Sequence, residues 1–432
     1  MTAAATTAGP AREGLWIASG LRTPFAKVDG PLAGFDAIAL SVPSAKAMVE
    51  ALDGGKPDVA IWGAVVPSLG WSNLAREVML DAKLDPTIPA FSTVMACATS
   101  MMAAIEAAGM LDGRGRHLAL AGGVESMSRV QIGLTQTLSD WLRHFFAARS
   151  VGDRLELLKT IQLREVKLYI PSITNRSTGK SMGEHTEEMA KTWHISRAEQ
   201  DALALESHHR AVAAWKAGFF ADIVIPFGGL DHDTVPRADT SLEKLAKLKP
   251  VFDHTSQGSL TAGNSSPLTD GSAAIWVADD EGVKRVPDRF YRARFIDWEI
   301  GAIDLWHEGL LMAPAYCIPR LLARHGLRYD DIQLWELHEA FSAQIACHIK
   351  ALQDRAFLRD KVGVDRDFGP FPQERMNPNG GSVALGHPFG ATGARILSQA
   401  VKELSKHDKG ARAIVSICTD GGLGAVCLLE RG

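Results

Sequence analysis

The 432-residue chain carries almost no surplus of charge: 46 Lys and Arg stand against 50 Asp and Glu, a net charge of −4. That balance excludes a global field favouring nucleic acid. No run is long and apolar enough to cross a bilayer as a helix, which takes about 20 apolar residues. Residues 1–14 are small and polar, with Arg12 and Glu13 but no apolar core. They are expected to form a disordered lead-in, not a secretion signal. Cysteines are few: Cys97, Cys317, Cys347, Cys418 and Cys427. An odd, scattered set argues against a disulfide framework and for a reducing compartment, so the expected location is the cytoplasm. Neither a Cys-x-x-Cys pair nor a His-Glu-x-x-His helix occurs, and no metal is expected.

Glycine, by contrast, is plentiful and clustered. Gly380 to Gly393 holds five glycines, Pro388 and His387, and runs straight into a helical pattern from Ala394 to Ser405. Glycine is entropically costly, so such density points to a tight turn or a close approach of backbone to a ligand. A histidine there can act as a general base. A glycine-rich strand-turn-helix connection with an incidental histidine fits the same pattern.

Strand-like and helical runs alternate along the chain. Strands are expected at 15–19, 59–65, 90–94 and 117–121, with helices at 38–52, 73–82 and 97–110. After about residue 273 the alternation resumes. Strands are expected at 273–278, 292–298, 332–337, 413–418 and 424–429, and helices at 314–325, 340–352 and 394–405. This order implies an α/β fold with a mostly parallel sheet. From about 129 to 248 the chain is richer in charge, with helical stretches at 138–169 and 197–217, and reads as an insertion. Both ends carry a short apolar stretch, a small-residue helix and a strand ending in a glycine pair, which hints at a duplicated unit with a site between the copies.

Several positions suit chemistry. Cys97 sits where a small-residue helix begins, and a helix N-terminus lowers the pKa of a thiol. A buried packing cysteine fits that position equally well. Cys418 ends an apolar strand and enters Thr419-Asp420-Gly421-Gly422; it suits a proton shuttle or a core cysteine. His338 lies between a strand and a helix, where functional side chains gather, and where a capping or buried histidine is also at home. Thr261 to Gly271 is a polar, turn-rich loop and reads by itself as a plain loop. His208 and His209 are expected to be solvated, and Cys347 and His348 to pack in the core.

Taken together, Cys97-Ala-Thr-Ser, Ala121-Gly-Gly-Val-Glu-Ser-Met-Ser128, Thr261-Ala-Gly-Asn-Ser-Ser266, His338-Glu-Ala-Phe341, Gly386-His-Pro388 and Cys418-Thr-Asp-Gly-Gly422 resemble the thiolase family, in its order and spacing, from about residue 15 onward. Most thiolases have Asn at the position of His338. The histidine form, with Gly179-Lys-Ser-Met-Gly183 and Leu245 to Phe252, resembles the thiolase (beta) subunit of the fatty-acid oxidation trifunctional enzyme and its bacterial relatives.

The resemblance implies two thiolase half-domains in an αβαβα five-layer stack, at 15–128 with 259–285 and at 286–432, and a loop domain inserted at 129–258. It implies Cys97 as nucleophile, His387 as its base and Cys418 as the acid that protonates a departing enolate. His338 with His387 would form one oxyanion site, and the backbone amides of Cys97 and Asp420 a second. Met182, Phe252, Ser266 and Phe341 would line the path of coenzyme A and the acyl chain. Coenzyme A enters as a co-substrate, with no permanently bound cofactor.

The implied activity is 3-ketoacyl-CoA thiolysis. The alternatives are a biosynthetic acetoacetyl-CoA thiolase, a ketosynthase-type condensing enzyme and a non-catalytic acyl-CoA-binding protein. The implied partners are acyl-CoA substrates, a second copy in a homodimer or dimer of dimers, and an alpha-subunit-like partner. The basic amphipathic stretch 138–169 suits contact with a membrane surface or a partner. Three positions depart from the family pattern: Asp420 where glycine or alanine is usual, Pro267 where glycine is frequent, and Ser181 where short-chain biosynthetic thiolases carry His.

Overall fold

The computed structural model describes residues 14–111, 115–171 and 173–432. The expected lead-in, up to residue 13, lies outside the described residues.

The strands are β1 (Leu15–Ala18), β2 (Ala26–Lys27), β3 (Val59–Gly63), β4 (Ala90–Phe91), β5 (Leu118–Glu125), β6 (Gly133–Leu134), β7 (Leu168–Tyr169), β8 (Thr269–Asp279), β9 (Arg292–Ala302), β10 (Leu334–Leu337), β11 (Arg412–Thr419) and β12 (Leu423–Glu430). The helices are α1 (Ala37–Glu50), α2 (Leu74–Asp81), α3 (Thr99–Met110), α4 (Gln136–Ala147), α5 (Val151–Leu158), α6 (Met182–Thr192), α7 (Arg197–Lys216), α8 (Leu242–Ala246), α9 (Ala313–Arg324), α10 (Ser342–Gln353), α11 (Arg355–Phe357), α12 (Ser382–Leu385) and α13 (Thr392–Leu404).

One large sheet runs β10-β11-β12-β9-β1-β8-β5-β3-β4, with β2 beside β8. It is mixed, not mostly parallel as expected. β10–β11, β3–β4 and β3–β5 are parallel. The five pairings from β11 to β5 are antiparallel. The physical reason is local: β11 and β12 are joined by a tight turn through Gly421 and Gly422, both at positive φ, and a tight turn can only make an antiparallel pair. Alternation of apolar runs does not report strand direction.

The strands divide the core into layers by their two-residue period. Leu118 and Leu120 of β5, with Ala274 and Trp276 of β8, face α1 and α2. Ala119, Ala121, Ile275 and Val277 face the other way, onto α3 and α13. Val415 and Ile417 of β11 and Ala425 of β12 reach the same central layer from beyond. Ile414 of β11, with Val426 and Leu428 of β12, point outward to α9 and α10. The order is helix, one half of the sheet, helix, the other half of the sheet, helix: the expected five layers. Small residues let α3 and α13 meet closely, and a Cβ at Gly393 would collide with the backbone of Met101.

Among the described residues between β5 and β8, no strand joins this sheet. The expected helical stretch over 138–169 is instead α4, α5 and then β7, which pairs antiparallel with β6 from ahead of α4. Ala148 and Ser150 are extended, and Ser150 caps α5 by accepting from the Asp153 N–H at 3.0 Å. Helices α6 and α7 both start on a Ser-x-x-Glu capping box, Ser181 with Glu184 and Ser196 with Glu199. Such a cap contributes about 1 kcal/mol, and it is the signal by which α6 is readable. His208 is buried, not solvated. It accepts from the Arg237 N–H, and burial lowers its pKa to about 4.

Candidate active site

Cys97 stands two residues before α3 on a sharp elbow. Ala96 takes φ 42°, a left-handed conformation uncommon for any residue but glycine, and Met95 and Cys97 bridge across it. Strain of this kind persists only when neighbours hold it. Thr99 Oγ1 accepts from the Met95 N–H at 2.9 Å and donates to the Ala96 carbonyl at 2.7 Å. From the far half of the chain, Thr419 Oγ1 accepts the Cys97 N–H at 3.1 Å and donates to the Met95 carbonyl. The amide expected to serve an oxyanion is thus bonded to Thr419 in this structure.

The thiol does not have the lowered pKa expected from a helix start. Burial pushes it up to about 12, with the Asp420 and Glu125 carboxylates adding to the rise. Cys97 keeps some exposure, all of it toward the cavity described below.

His387 follows α12 and Gly386, whose φ of 96° and contact with Thr269 leave no room for a Cβ. Its backbone bridges to Leu268, so the polar loop 261–271 runs directly into it. Its Nδ1 lies 2.7 Å from Thr392 Oγ1, and Thr392 donates its own proton to the Pro388 carbonyl at 2.9 Å. Thr392 therefore accepts Nδ1–H, and Nε2 is left with a bare lone pair and no protein partner. Burial, then the nearby Arg395 charge, lower its pKa to about 3.

His338 comes directly after β10. Its ring centroid is 4.2 Å from that of His387. Its Nδ1 lies 2.8 Å from Ser382 Oγ, and its Nε2 is also unpartnered. Burial first, then the neighbouring His387 ring whenever it is protonated and the Arg395 charge, drive its pKa well down.

Cys97 Sγ and one ring nitrogen each of His338 and His387 lie within 4.8 Å of one another. This is the one such cluster among the described residues, and the same three donors are where a soft cation would bind. Cys418, at the end of β11, completes the group. Burial raises its thiol pKa, and Cys97 is close enough to raise it further.

A cavity of about 500 Å³ opens onto Cys97, His387 and Cys418. Met182, Ser266, Phe341 and Asp420 line it, as do Tyr169, Pro171 and Ile173 from the inserted segment. Phe252 stands behind this wall. It packs edge-on against Phe341 at 5.8 Å and fills the space a side chain at Gly183 would take. The loop 261–271 is not a plain surface loop, for Thr261 and Asn264 are fully buried. The Ser266 N–H donates to the Ala340 carbonyl at 3.0 Å and the Ser342 N–H to the Asn264 carbonyl at 2.9 Å. Asp420 points its carboxylate at the inserted segment, where Asn175 Nδ2 donates to it at 2.7 Å.

Two further carboxylates hold the site, though their motifs alone gave them no role. Glu125 is buried and accepts from the amides of Val65, Val66 and Gly390 at 3.0–3.1 Å, tying one cavity wall to the loop of His387. Burial raises its pKa to about 7. Glu339 accepts from Ser207 Oγ at 2.7 Å and Asn377 Nδ2 at 2.6 Å, anchoring α7 and the glycine-rich run. A side chain at Gly381 would run into its carboxylate.

A soft nucleophile, a bare imidazole nitrogen, a second imidazole and a second thiol around an apolar cavity make an acyl-transfer constellation. The comparisons agree. Residues 15–281 match the family described as "Thiolase, N-terminal domain", and residues 291–431 match "Thiolase, C-terminal domain". The chain belongs to the thiolase family. It is 36% identical over 429 residues to the 3-ketoacyl-CoA thiolase of Shewanella pealeana, covering 97% of each chain. It is 37% identical over 426 residues to that of Yersinia enterocolitica, covering 96% of each. The crystal structure of Acat5 thiolase from Ascaris suum in complex with coenzyme A superposes with a TM-score of 0.77 at 26% identity, over 97% of this chain and all of that one.

In this thiolase the raised Cys97 and lowered His387 pKa values make the resting pair neutral, thiol beside imidazole. The thiolate fraction then grows about tenfold per pH unit well below the thiol pKa. Iodoacetamide labelling of Cys97 should keep accelerating from about pH 7 to 9. A rate already flat above about pH 6 would mean a preformed thiolate–imidazolium pair instead.

Proposed function

We propose that this chain is a 3-ketoacyl-CoA thiolase of fatty-acid β-oxidation, splitting its substrate with coenzyme A into acetyl-CoA and a shortened acyl-CoA. The observation that carries the reading is that Cys97, His387 and Cys418 line one apolar cavity and that His338 is clustered with Cys97 and His387.

Cys97 gives its proton to His387 Nε2, and its sulfur attacks the keto carbon, C3. The C2–C3 bond breaks, and its electron pair leaves as the enolate of acetyl-CoA. C2 takes the proton of Cys418. The sulfur of free coenzyme A, giving its proton to the Cys418 thiolate, then attacks the acyl carbon. The bond to Cys97 breaks, and Cys97 recovers its proton from His387. A thiolate suits both halves, being soft enough to attack and good enough to leave. The ketone oxygen lies toward the amides of Cys97 and Asp420, which asks Thr419 to release the first of these. The thioester oxygen of the enolate lies toward His338 and His387. Met182, Ser266, Phe341 and, from behind, Phe252 shape the coenzyme A and acyl path, and the segment 129–258 covers it as a loop domain. A ketosynthase-type condensation needs no second acid, so Cys418 favours thiolysis over it.

The test is thiolysis of 3-ketoacyl-CoA substrates from four to sixteen carbons, with the Cys97→Ser protein as control. Turnover that survives that replacement ends the assignment.

The working unit we assign is a homodimer or dimer of dimers in the cytoplasm, where free thiols are at home. The segment 138–169 is its contact with an anionic membrane surface or an alpha-subunit-like partner. Phe146 and Val151 are each 72% exposed and Leu155 55%, among the exposed Arg143, Arg149, Arg154 and Lys159. An apolar face ringed by cations binds such surfaces. Deleting 138–146 should cut co-sedimentation with vesicles containing phosphatidylserine; unchanged vesicle and partner binding ends that part of the reading.

A further inference from the structure

Two fully buried residues of the glycine-rich run and the helix after it have no part in the chemistry above: Ser382, which opens α12, and Arg395, on α13. Arg395 Nη2 lies 2.6 Å from Ser382 Oγ, and Ser382 Oγ lies 2.8 Å from His338 Nδ1. We propose that Ser382, oriented by Arg395, is a positioning residue that fixes His338 as its Nε2–H tautomer and so makes it the hydrogen-bond donor of an oxyanion site.

The argument is one of counting protons. A guanidinium only donates and keeps its protons at any ordinary pH. Ser382 Oγ therefore accepts from Arg395. The hydroxyl has a single proton of its own, and His338 Nδ1 is the other group bonded to it. Once Nδ1 accepts that proton, the ring's own hydrogen belongs on Nε2, across the ring from Ser382 and without a partner in the protein. Burial and the nearby Arg395 guanidinium keep His338 uncharged, so the choice is between tautomers and not between charge states.

The adjacent imidazole is wired in the opposite sense. Thr392 sends its proton to the Pro388 carbonyl and takes Nδ1–H from His387, which bares Nε2. Two rings 4.2 Å apart thus become one base and one donor, each set by a hydroxyl that sequence motifs alone leave without a task.

The proposal rests on the thiolase reading for its consequence in catalysis, but the tautomer itself is readable without it. In the full-length protein, Ser382→Ala should lower kcat about 10- to 100-fold, the scale of a weakened oxyanion donor. KM for coenzyme A should move less than about threefold, and iodoacetamide labelling of Cys97, which depends on His387, should keep its rate and pH profile. Ser382→Thr, which retains the hydroxyl, should restore most of the loss. In a His338→Ala background the same Ser382→Ala change should cost nothing further. An unchanged kcat in Ser382→Ala, or an equal loss with and without His338, overturns the proposal.

Spectra of [15N]histidine-labelled protein provide a reading free of mutation: His338 should carry its proton on Nε2. A proton on Nδ1 overturns the proposal even if Ser382→Ala fails to fold. If the unaltered protein shows no thiolysis while His338 carries Nε2–H, the assigned reaction falls and the tautomer assignment stands.

Discussion

The Cys97→Ser protein is expected to lose thiolysis by a factor on the order of 10⁴ to 10⁶, the range seen when a covalent nucleophile is removed. The replacement changes one atom and leaves the elbow at Ala96 intact, since Thr99 and Thr419 hold that turn through the backbone of residues 95–97. What is lost is acidity and softness. His387, with its pKa lowered to about 3, is a weak base, and only a proton as mobile as a thiol's can pass to it as the carbon–sulfur bond forms. A serine hydroxyl binds its proton far more tightly. The checks are steady-state thiolysis and mass spectrometry of protein quenched during turnover, where an acyl adduct at residue 97 should vanish with the rate. More than about a hundredth of the activity remaining without the adduct would mean that the acyl group never passes through Cys97.

Cys418→Ala should divide the reaction in two. Loss of a positioned acid typically costs 10²- to 10⁴-fold, and here it should fall most heavily on the carbon–carbon step, because a carbanion cannot leave unprotonated as a thiolate can. Exchange of labelled coenzyme A into a saturated acyl-CoA uses Cys418 only to move a thiol proton, which water can also carry, and should persist within about tenfold. Exchange of the acetyl-CoA methyl protons with deuterated water needs Cys418 and should be lost. Burial and the adjoining Cys97 hold the Cys418 thiol protonated, as an acid waiting for a carbanion must be. Equal loss of both exchanges would show that the variant had damaged the cavity and not removed a proton.

Some of this was legible in the chain. The runs read as strands at 59–65 and 413–418 and as helices at 197–217 and 394–405 match β3, β11, α7 and α13 within a few residues, because each has a clear period and clear ends. The sheet's mixed direction was not legible, since strand polarity is decided by connections and not by the residues within a strand. The stretch 138–169 misled because its apolar residues keep a helical spacing across Ser150, where the chain turns. His208 misled because its neighbours in sequence are charged, whereas its neighbours in space are the chain around Arg237. At the site, Cys97, His387, His338 and Cys418 each fitted a packing or incidental role as well as a chemical one, and only their motifs taken together, through the family resemblance, joined them. Their supports were not legible: Thr392, Ser382, Thr419 and Glu125 are ordinary polar residues whose importance lies in which atom each touches. The upward shift at Cys97 was hidden for the same reason. A helix start is visible in the sequence, while the enclosing apolar walls and the Asp420 carboxylate are visible only in three dimensions.

Cys97 is supplied by the part of the chain before β8, and both imidazoles and the second thiol by the part after β9. They meet where α3 and α13 touch, through contacts as close as Gly393 on Met101, and where Thr419 holds the backbone of Cys97. Turnover is therefore a gauge of how tightly the two halves are docked. A slip of an ångström along that seam would silence the chemistry while the strands and helices on either side persisted, so inactivation on warming should run ahead of melting.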